Sequence, residues 1–305
     1  MKHDFPKLGL ERLCRLFGKS RGAIYDHLTR LQYESLSDDI ILQCVKQVRT
    51  QLPRLGTRKL HHMLTPLLQE HGIQIGRDYL FELLAAHKML VRRRKRKVIT
   101  TDSRHWMKKY TNRVKDIVIC RPEQVWVSDI TYIRLINQWG YLSLITDAYS
   151  RKIMGFALRT DMSAQGCIDA LKMAINNRTY SNEQLIHHSD RGSQYCSTAY
   201  VQLLTDHNIG ISMTENGDPY ENALAERING IIKNEFNLYG SNKNLEDTYK
   251  LVNRSIKAYN ELRPHSSCNL LTPHQAHQQK GQLKKRWKTY PKQQPNPIFE
   301  QTTCE

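Results

Sequence analysis

Residues 125–133 alternate with a period of two: Val125, Val127, Asp129, Thr131 and Ile133 on one side, Trp126, Ser128, Ile130 and Tyr132 on the other. That is the period of a β-strand, whose side chains point to opposite faces in turn. A turn follows at Asn137-Gln138-Trp139-Gly140, then a second strand at 141–145, a turn at Tyr149-Ser150-Arg151, and a third strand at 153–158. Three strands with short links form an antiparallel meander. The next segments read as a helix at 164–175, a short strand at 185–188, a helix at 197–205, a short strand at 209–213, a long helix from Pro219 and a last helix at 245–259. A meander followed by alternating helix and strand predicts a mixed sheet covered by helices.

The first part of the chain has a different period. Leu10, Leu13, Leu16 and Phe17 predict one short helix. Gly18-Lys19-Ser20 breaks it, and Ser20 can cap a second helix carrying Ile24, Leu28 and Leu31. This pattern resembles a helix-turn-helix, or equally a small structural hairpin. Ser37-Asp38-Asp39 opens a further helix with Ile41, Leu42, Val45 and Val48, ended by Pro53 and Gly56. Thr57 starts another with Leu60, Met63 and Leu64, and Gly76-Arg77-Asp78 leads into Tyr79, Leu80, Leu83 and Leu84. Helix, short turn, helix is again the helix-turn-helix pattern, one that purely structural bundles share.

Charge separates these alternatives. The chain carries a formal net charge of +17, and residues 1–117 hold 25 Lys+Arg against 11 Asp+Glu, where the rest hold 21 against 18. Arg92, Arg93, Arg94, Lys95, Arg96 and Lys97 run consecutively. Like charges so close repel and cannot be buried. Beside two helix-turn-helix candidates they read as a phosphate-contacting linker, favoured by counterion release, rather than as a merely solvated one. The expected organisation is a helix-turn-helix segment at 1–35, a helical DNA-binding domain at 36–91, a basic linker at 92–117, an α/β catalytic core at 118–280 and a basic, disordered tail at 281–305, poor in apolar residues.

The seven cysteines are scattered and never spaced C-x-x-C, which predicts reduced thiols in the cytoplasm without a disulfide framework or structural zinc. No apolar run approaches the ~20 residues of a membrane span, and no signal segment opens the chain.

The chemistry-bearing candidates are acidic. On a helical wheel Asn222, Glu226, Asn229 and Lys233 fall on one stripe, and Leu224, Ile228, Ile231 and Leu238 lie opposite. Asp218, Pro219 and Glu221 form a capping signature, which leaves Glu226 as the helix's functional carboxylate. A solvated surface stripe would look the same. Asp190 follows a short strand and precedes the turn Arg191-Gly192. Asp129 interrupts an apolar strand, where acidic residues are disfavoured. Three carboxylates from two strands and a helix can converge on Mg²⁺ or Mn²⁺, and two such ions ~4 Å apart stabilise the attacking and leaving oxygens of an in-line displacement at phosphorus. His187 and His188 lack a metal-ligand pattern; His188 reads as a pocket or phosphate-contacting residue. Asp147 reads as a strand-end residue and Asp161 as a loop residue.

Between Asp190 and Glu226 lie 35 residues. This spacing, W-V-S-D-I-T-Y around Asp129, H-S-D-R-G-S-Q-Y around Asp190 and E-N-A-L-A-E-R-I-N-G-I-I-K from Glu221 to Lys233 resemble the second-frame insertion-sequence transposases, whose catalytic core is similar to that of retroviral integrases. G-T-R-K-L at 56–60 and R-P-H-S-S at 263–267 resemble that family too. The resemblance implies an RNase H-like core with Asp129, Asp190 and Glu226 as catalytic metal ligands holding two Mg²⁺ or Mn²⁺ ions. It implies DNA contacts at Lys233, with Asn222 on the same stripe. It also implies nicking and strand transfer at element ends, a homo-oligomer holding two ends, and an upstream-frame helix-turn-helix product as partner or fusion. Glu221-Asn222-Ala223 stands where the family commonly has Asp-Asn-Ala, which keeps the charge. The competing readings are an RNase H-type nuclease, which typically adds a fourth carboxylate, and an inert DNA-binding regulator.

Overall fold

The computed structural model describes residues 10–92, 106–215, 222–238 and 243–286. Strands β1 (Val125–Arg134), β2 (Trp139–Asp147), β3 (Ile153–Arg159), β4 (Leu185–Ser189) and β5 (Ile209–Met213) form one sheet in the order β3-β2-β1-β4-β5. β1 pairs antiparallel with β2 from Trp126↔Asp147 to Arg134↔Trp139, and β2 pairs antiparallel with β3. β4 and β5 then run parallel to β1, with Val127↔His188 and Ser189↔Met213 as the last pairs. The meander followed by parallel strands is the RNase H-like arrangement. β2 starts two residues before the predicted Tyr141, because the Arg134 guanidinium stacks over the Trp139 ring at 5.0 Å and extends the ladder.

Strand alternation gives the sheet two apolar faces. Leu142, Leu144, Phe156 and Leu158 pack on α8 (Ala223–Glu235) and α9 (Leu245–Glu261) through Ile228, Ile232, Val252 and Ile256. Trp126, Ile145 and Ala157 pack on α5 (Ala164–Asn176) and α7 (Thr198–Asp206) through Ile168, Leu171, Tyr200 and Leu204. Gly155 sets the closeness of α5: a Cβ there would lie 2.1 Å from the Ala170 carbonyl oxygen and 2.6 Å from the Ala174 nitrogen. A short helix, α6 (Ser193–Cys196), precedes α7 and was not expected from the sequence.

The front of the chain folds as α1 (Leu10–Leu16), α2 (Arg21–Gln51), α3 (Thr57–Glu70) and α4 (Arg77–Ala86). Gly18 adopts a φ of +61° in the first turn, and the Ser20 hydroxyl accepts the Ala23 N–H at 3.0 Å, as a capping serine should. One expectation is corrected here. No helix starts at Ser37; α2 runs unbroken across the boundary placed at residue 35. Between Ala23 and Leu52 the chain has no Gly or Pro to interrupt the backbone ladder, and the Asp38 carboxylate accepts from the Tyr79 hydroxyl at 2.6 Å rather than capping. The predicted stripe of the first half is exposed at Leu28 and Leu31, whereas Ile41, Leu42 and Val45 are buried with Leu60, Leu64, Leu80 and Leu84 of α3 and α4.

This helical unit shares its core with α8 and α9, and the Arg54 N–H donates to the Glu235 carbonyl at 3.0 Å. Part of the expected linker also belongs to the core: Arg113 N–H donates to Ser212 Oγ at 2.9 Å and Asn112 N–H to Glu215 Oε1 at 3.0 Å, which lays this segment beside β5. At the other end, α10 (Pro273–His277) begins with a capping box between Thr272 and Gln275. Residues 281–286, expected to open a disordered tail, are tied down: the Gly281 N–H donates to Cys120 O at 2.8 Å and the Arg286 N–H to Ser266 O at 2.9 Å. Their order comes from backbone pairing, which composition does not report. No helix among the described residues is long and apolar enough to cross a membrane.

Candidate active site

β1 and β4 are parallel neighbours, and Asp129 and Asp190 each lie two residues beyond their last ladder pair, Val127↔His188. Parallel strands sit ~4.8 Å apart, so the two carboxylates stand side by side where β4 ends against the middle of β1. Asp190 Oδ1 accepts the Gly192 N–H at 3.0 Å. A Cβ on residue 192 would stand 3.0 Å from that same oxygen, so the glycine leaves room for the carboxylate where a side chain would crowd it by a few tenths of an ångström.

α8 lies along β1 and supplies the remaining groups. Asn222 Nδ2 donates to the Ser128 carbonyl at 3.0 Å, Asn229 Nδ2 to Asp129 Oδ2 at 2.8 Å, and Lys233 Nζ to Thr131 Oγ1 at 3.0 Å. Asp129 Oδ1 also accepts the Ile130 N–H at 2.9 Å. Glu226 stands on the same helix face, one turn before Asn229, and is exposed. The stripe found on the wheel therefore faces β1, with Glu226 at its open rim. Asn222 is 6% exposed and turned into the protein, a correction to its expected place as a solvent-facing DNA contact. Lys233 is half-buried; burial lowers its pKa, against an opposing pull from Asp129. Asn229, Ser128 and Thr131 were not singled out as site residues. The signal was present, since two neutral amides flanking Glu226 suit a stripe that faces a carboxylate rather than water.

Electrostatics single out Asp129. Burial, then the neighbouring Asp190 carboxylate, raise its pKa to about 7, with Glu226 adding a smaller push and the Asn229 and Ile130 donors opposing. Like-charged oxygens gathered at a partly desolvated edge repel, and a hard divalent cation is the partner that relieves them. The donor set is all oxygen, which suits Mg²⁺ or Mn²⁺. As the side chains stand, no three His, Cys, Asp or Glu residues among those described are gathered closely enough to hold one ion. Asp129 and Asp190 adjoin, and Glu226 remains at the rim.

The other sequence candidates are placed as follows. His187 is fully buried, and its Nε2 shares hydrogen bonds with Ser128 Oγ at 2.6 Å and Tyr200 OH at 2.8 Å; burial, with His188 beside it, lowers its pKa to about 3. His188 is buried with Nδ1 2.9 Å from Ser212 Oγ, so it shapes the interior and does not reach a phosphate. Asp147 is indeed a strand-end residue, accepting from the Glu123 and Ser150 N–H groups at 2.7 Å each. Arg92 is exposed, and its carbonyl accepts from Arg54 Nη2 at 2.8 Å. Arg93, Arg94, Lys95, Arg96 and Lys97 lie outside the described residues, as do Asp218, Pro219 and Glu221.

Comparison with known proteins bears on this geometry. Two family models, both described as integrase core domain, match residues 120–219 and 207–273. The insertion element IS600 uncharacterized 31 kDa protein of Shigella sonnei is 31% identical over 266 residues, 86% of this chain and 96% of its own length. The transposase for insertion sequence element IS629 of Shigella sonnei is 36% identical over 178 residues, 58% of each chain. The transposase InsF for insertion sequence IS3A of Escherichia coli K12 is 35% identical over 163 residues, 53% of this chain and 56% of its own. The matches to IS629 and IS3A thus span a little over half of those transposases. Among solved structures, the HTLV-2 integrase catalytic core domain in complex with magnesium is 23% identical, with a TM-score of 0.42 over 52% of this chain and 97% of that one. The chain belongs to the insertion-sequence transposases, enzymes of DNA transposition built on an integrase core domain.

Proposed function

We propose that this transposase nicks DNA at the ends of its insertion sequence and joins each freed 3′-OH to target DNA, with Asp129, Asp190 and Glu226 holding two Mg²⁺ or Mn²⁺ ions. The observation that carries the reading is the meeting of Asp129 and Asp190 at the β1/β4 edge under the polar stripe of α8. When bound, the ions supply a water of lowered pKa and neutralise charge on the attacking and leaving oxygens. In the first step water attacks phosphorus and the 3′-oxygen leaves with a proton as the 3′-OH. In the second that 3′-OH attacks a target phosphodiester and a new 3′-oxygen leaves. The first step is a net hydrolysis, leaving a 5′-phosphomonoester and the 3′-OH; in the second, one phosphodiester forms for the one broken and the proton of the attacking 3′-OH ends on the leaving 3′-oxygen.

The chain's own groups position these events. Asn229 holds the orientation of Asp129 through its 2.8 Å bond, and Asn222 pins the start of α8 to the strand. Lys233, held by Thr131, puts positive charge beside the acidic edge, where it offers a contact to a DNA phosphate. Arg92 and the basic run after it contact phosphates nonspecifically and supply affinity without sequence information. The same reading places the protein in the cytoplasm as a homo-oligomer bridging two ends, with an upstream-frame helix-turn-helix product as partner or fusion.

A strand-transfer assay tests it, using Mg²⁺, labelled element ends and supercoiled target. Wild-type protein is expected to join ends to target, and Asp190→Asn to lose joining while retaining end binding. Equal joining by that variant would remove the acidic triad from the mechanism. Salt-dependent end binding with no cleavage by the wild type would replace the enzyme reading with the regulator.

A further inference from the structure

The motifs G-T-R-K-L and R-P-H-S-S have no part in the triad, yet they meet. A cavity of about 640 Å³ opens where the first turn of α3 faces α8 and the loop at 266–270. Its cationic lining is Arg58, Lys59, Arg151, Arg227 and Arg286, and Ser266 and Ser267 add hydroxyls. Among the described residues no carboxylate lines it. The nearby Glu235 is already engaged by Arg263 through two hydrogen bonds of 2.7 Å. Five cations thus converge on one concavity with no acidic side chain among the described residues of its lining.

Such a gathering is costly unless an anion completes it. Lys59 shows the strain: burial, then Arg263 and Arg227, lower its pKa to about 8 despite the pull of Glu235. His265, in the same wall, is driven well below its usual value by burial and then by Arg263 and Lys59, and so stays neutral. Guanidinium forks match phosphate oxygens in geometry as well as charge. Arg58, Arg227 and Arg286 are exposed, so the concavity is reached from solvent.

We infer that this cavity is a second DNA site, a clamp for a backbone phosphate at the seam between the helical unit and the catalytic core. It rests on the proposed function for its ligand, a phosphodiester rather than a free anion. Arg227 directly follows Glu226, about 100° further round α8. A duplex whose scissile phosphate lies at Glu226 therefore runs within a helix width of the cavity. The clamp couples the helical unit to the core through DNA as well as through protein, because α3 supplies Arg58 and Lys59 and α8 supplies Arg227.

The test is fluorescence anisotropy with a fluorescein-labelled 40-bp duplex of random sequence, the full chain, and EDTA to prevent cleavage, from roughly 50 to 200 mM KCl. Arg58 and Arg227 are exposed, so R58Q/R227Q is expected to melt with the wild type. The charge-matched control is K172E, on α5 across the sheet. The double variant is expected to bind at least about tenfold more weakly and to flatten the plot of log K against log salt by about 1, the loss of one phosphate contact, whereas K172E moves neither by more than about a third of that. Equal losses in both proteins would overturn the clamp and leave only nonspecific charge. A second arm adds inorganic phosphate at fixed ionic strength. If phosphate raises the melting temperature of the wild type but not of R58Q/R227Q, and both bind duplex alike, the cavity holds a free anion and the DNA assignment is overturned. Failure of the wild type to bind any duplex would remove the proposed function and the clamp with it, a result distinct from normal wild-type binding with an unaffected double variant.

Discussion

Arg263 lies in the R-P-H-S-S motif, and an arginine in a DNA enzyme invites a phosphate-contact reading. The structure places it otherwise. It is 1% exposed, donates Nε and Nη2 to the two oxygens of Glu235 at 2.7 Å, and lies 5.7 Å from the Tyr259 ring centroid. Replacing it with methionine keeps much of the volume and strands the Glu235 carboxylate. Breaking a buried pair from one side costs about 3–5 kcal/mol. Glu235 is 24% exposed and has Lys59 nearby, so the lower end, about 3 kcal/mol, applies. For a chain of this size that corresponds to a fall in Tm of about 6–12 °C. Removing both partners in R263M/E235L is expected to cost less than the sum of the single changes, with a coupling of about 2 kcal/mol. Burial pushes the Glu235 pKa up, but the Arg263 hydrogen bonds outweigh it and the net value is lowered. A carboxylate with a depressed folded-state pKa contributes stability above its unfolded value of about 4.3 that is lost as pH falls through the folded value. The gap between wild type and R263M should therefore be full at pH 7 and shrink below about pH 4. Melting curves followed by circular dichroism across this pH range measure it. If R263M melts with the wild type and instead loses duplex binding, Arg263 contacts DNA and the packing argument is wrong.

Three further outcomes are expected. Gly155→Ala drives a Cβ into the backbone of α5 at Ala170 and Ala174, so the loss should reach or exceed about 3 kcal/mol, and an unchanged Tm would show that α5 can retreat freely. Asn229→Ala removes the donor on Asp129 Oδ2 and should lower strand transfer about 10–100-fold while duplex affinity stays within about twofold; a matching loss of affinity would make Asn229 a DNA contact. His277 shares hydrogen bonds with Ser150 Oγ at 3.0 Å and Glu123 Oε1 at 3.2 Å, and these acidic surroundings, Asp147 included, raise its pKa against the effect of burial. A raised histidine contributes stability below its unfolded pKa of about 6.5 that is lost as pH rises through the folded value, so His277→Ala should cost more in a urea titration at pH 6 than at pH 9.

The strands and the place of the acidic candidate Asp129 are legible in the sequence because strict periodicity and conflict with it are both local signals. The alternation of residues 125–133 located β1, and the misfit of Asp129 within it marked the residue that the structure surrounds with Asp190, Asn229 and the Ile130 N–H. α2 was misread for a local reason too. Ser37-Asp38-Asp39 has the composition of a helix start, but a capping residue acts only where the backbone ladder has already ended, and nothing between Ala23 and Leu52 ends it. What partners Asp38 is the Tyr79 hydroxyl, 41 residues away.

The stripe on α8 shows a deeper limit. A helical wheel sorts residues by angle and polarity, and it placed Asn222, Glu226, Asn229 and Lys233 together correctly. It cannot say what lies across from them. Polar residues usually face water, so on the wheel alone a solvated surface stripe looks the same as a functional one, whereas β1 offers its own polar row, the Ser128 carbonyl, Asp129 and Thr131 Oγ1, as a match. α8 is consequently covered on both sides, by apolar packing through Ile228 and Ile232 and by hydrogen bonds through the two asparagines and the lysine. That double coverage is what makes Glu226 distinctive. It is the one member of the stripe left exposed, on a helix whose rotation is fixed by contacts on either flank. To serve as the third ligand we propose, Glu226 must reach the Asp129–Asp190 pair from this rim while Asn229 stays on Asp129.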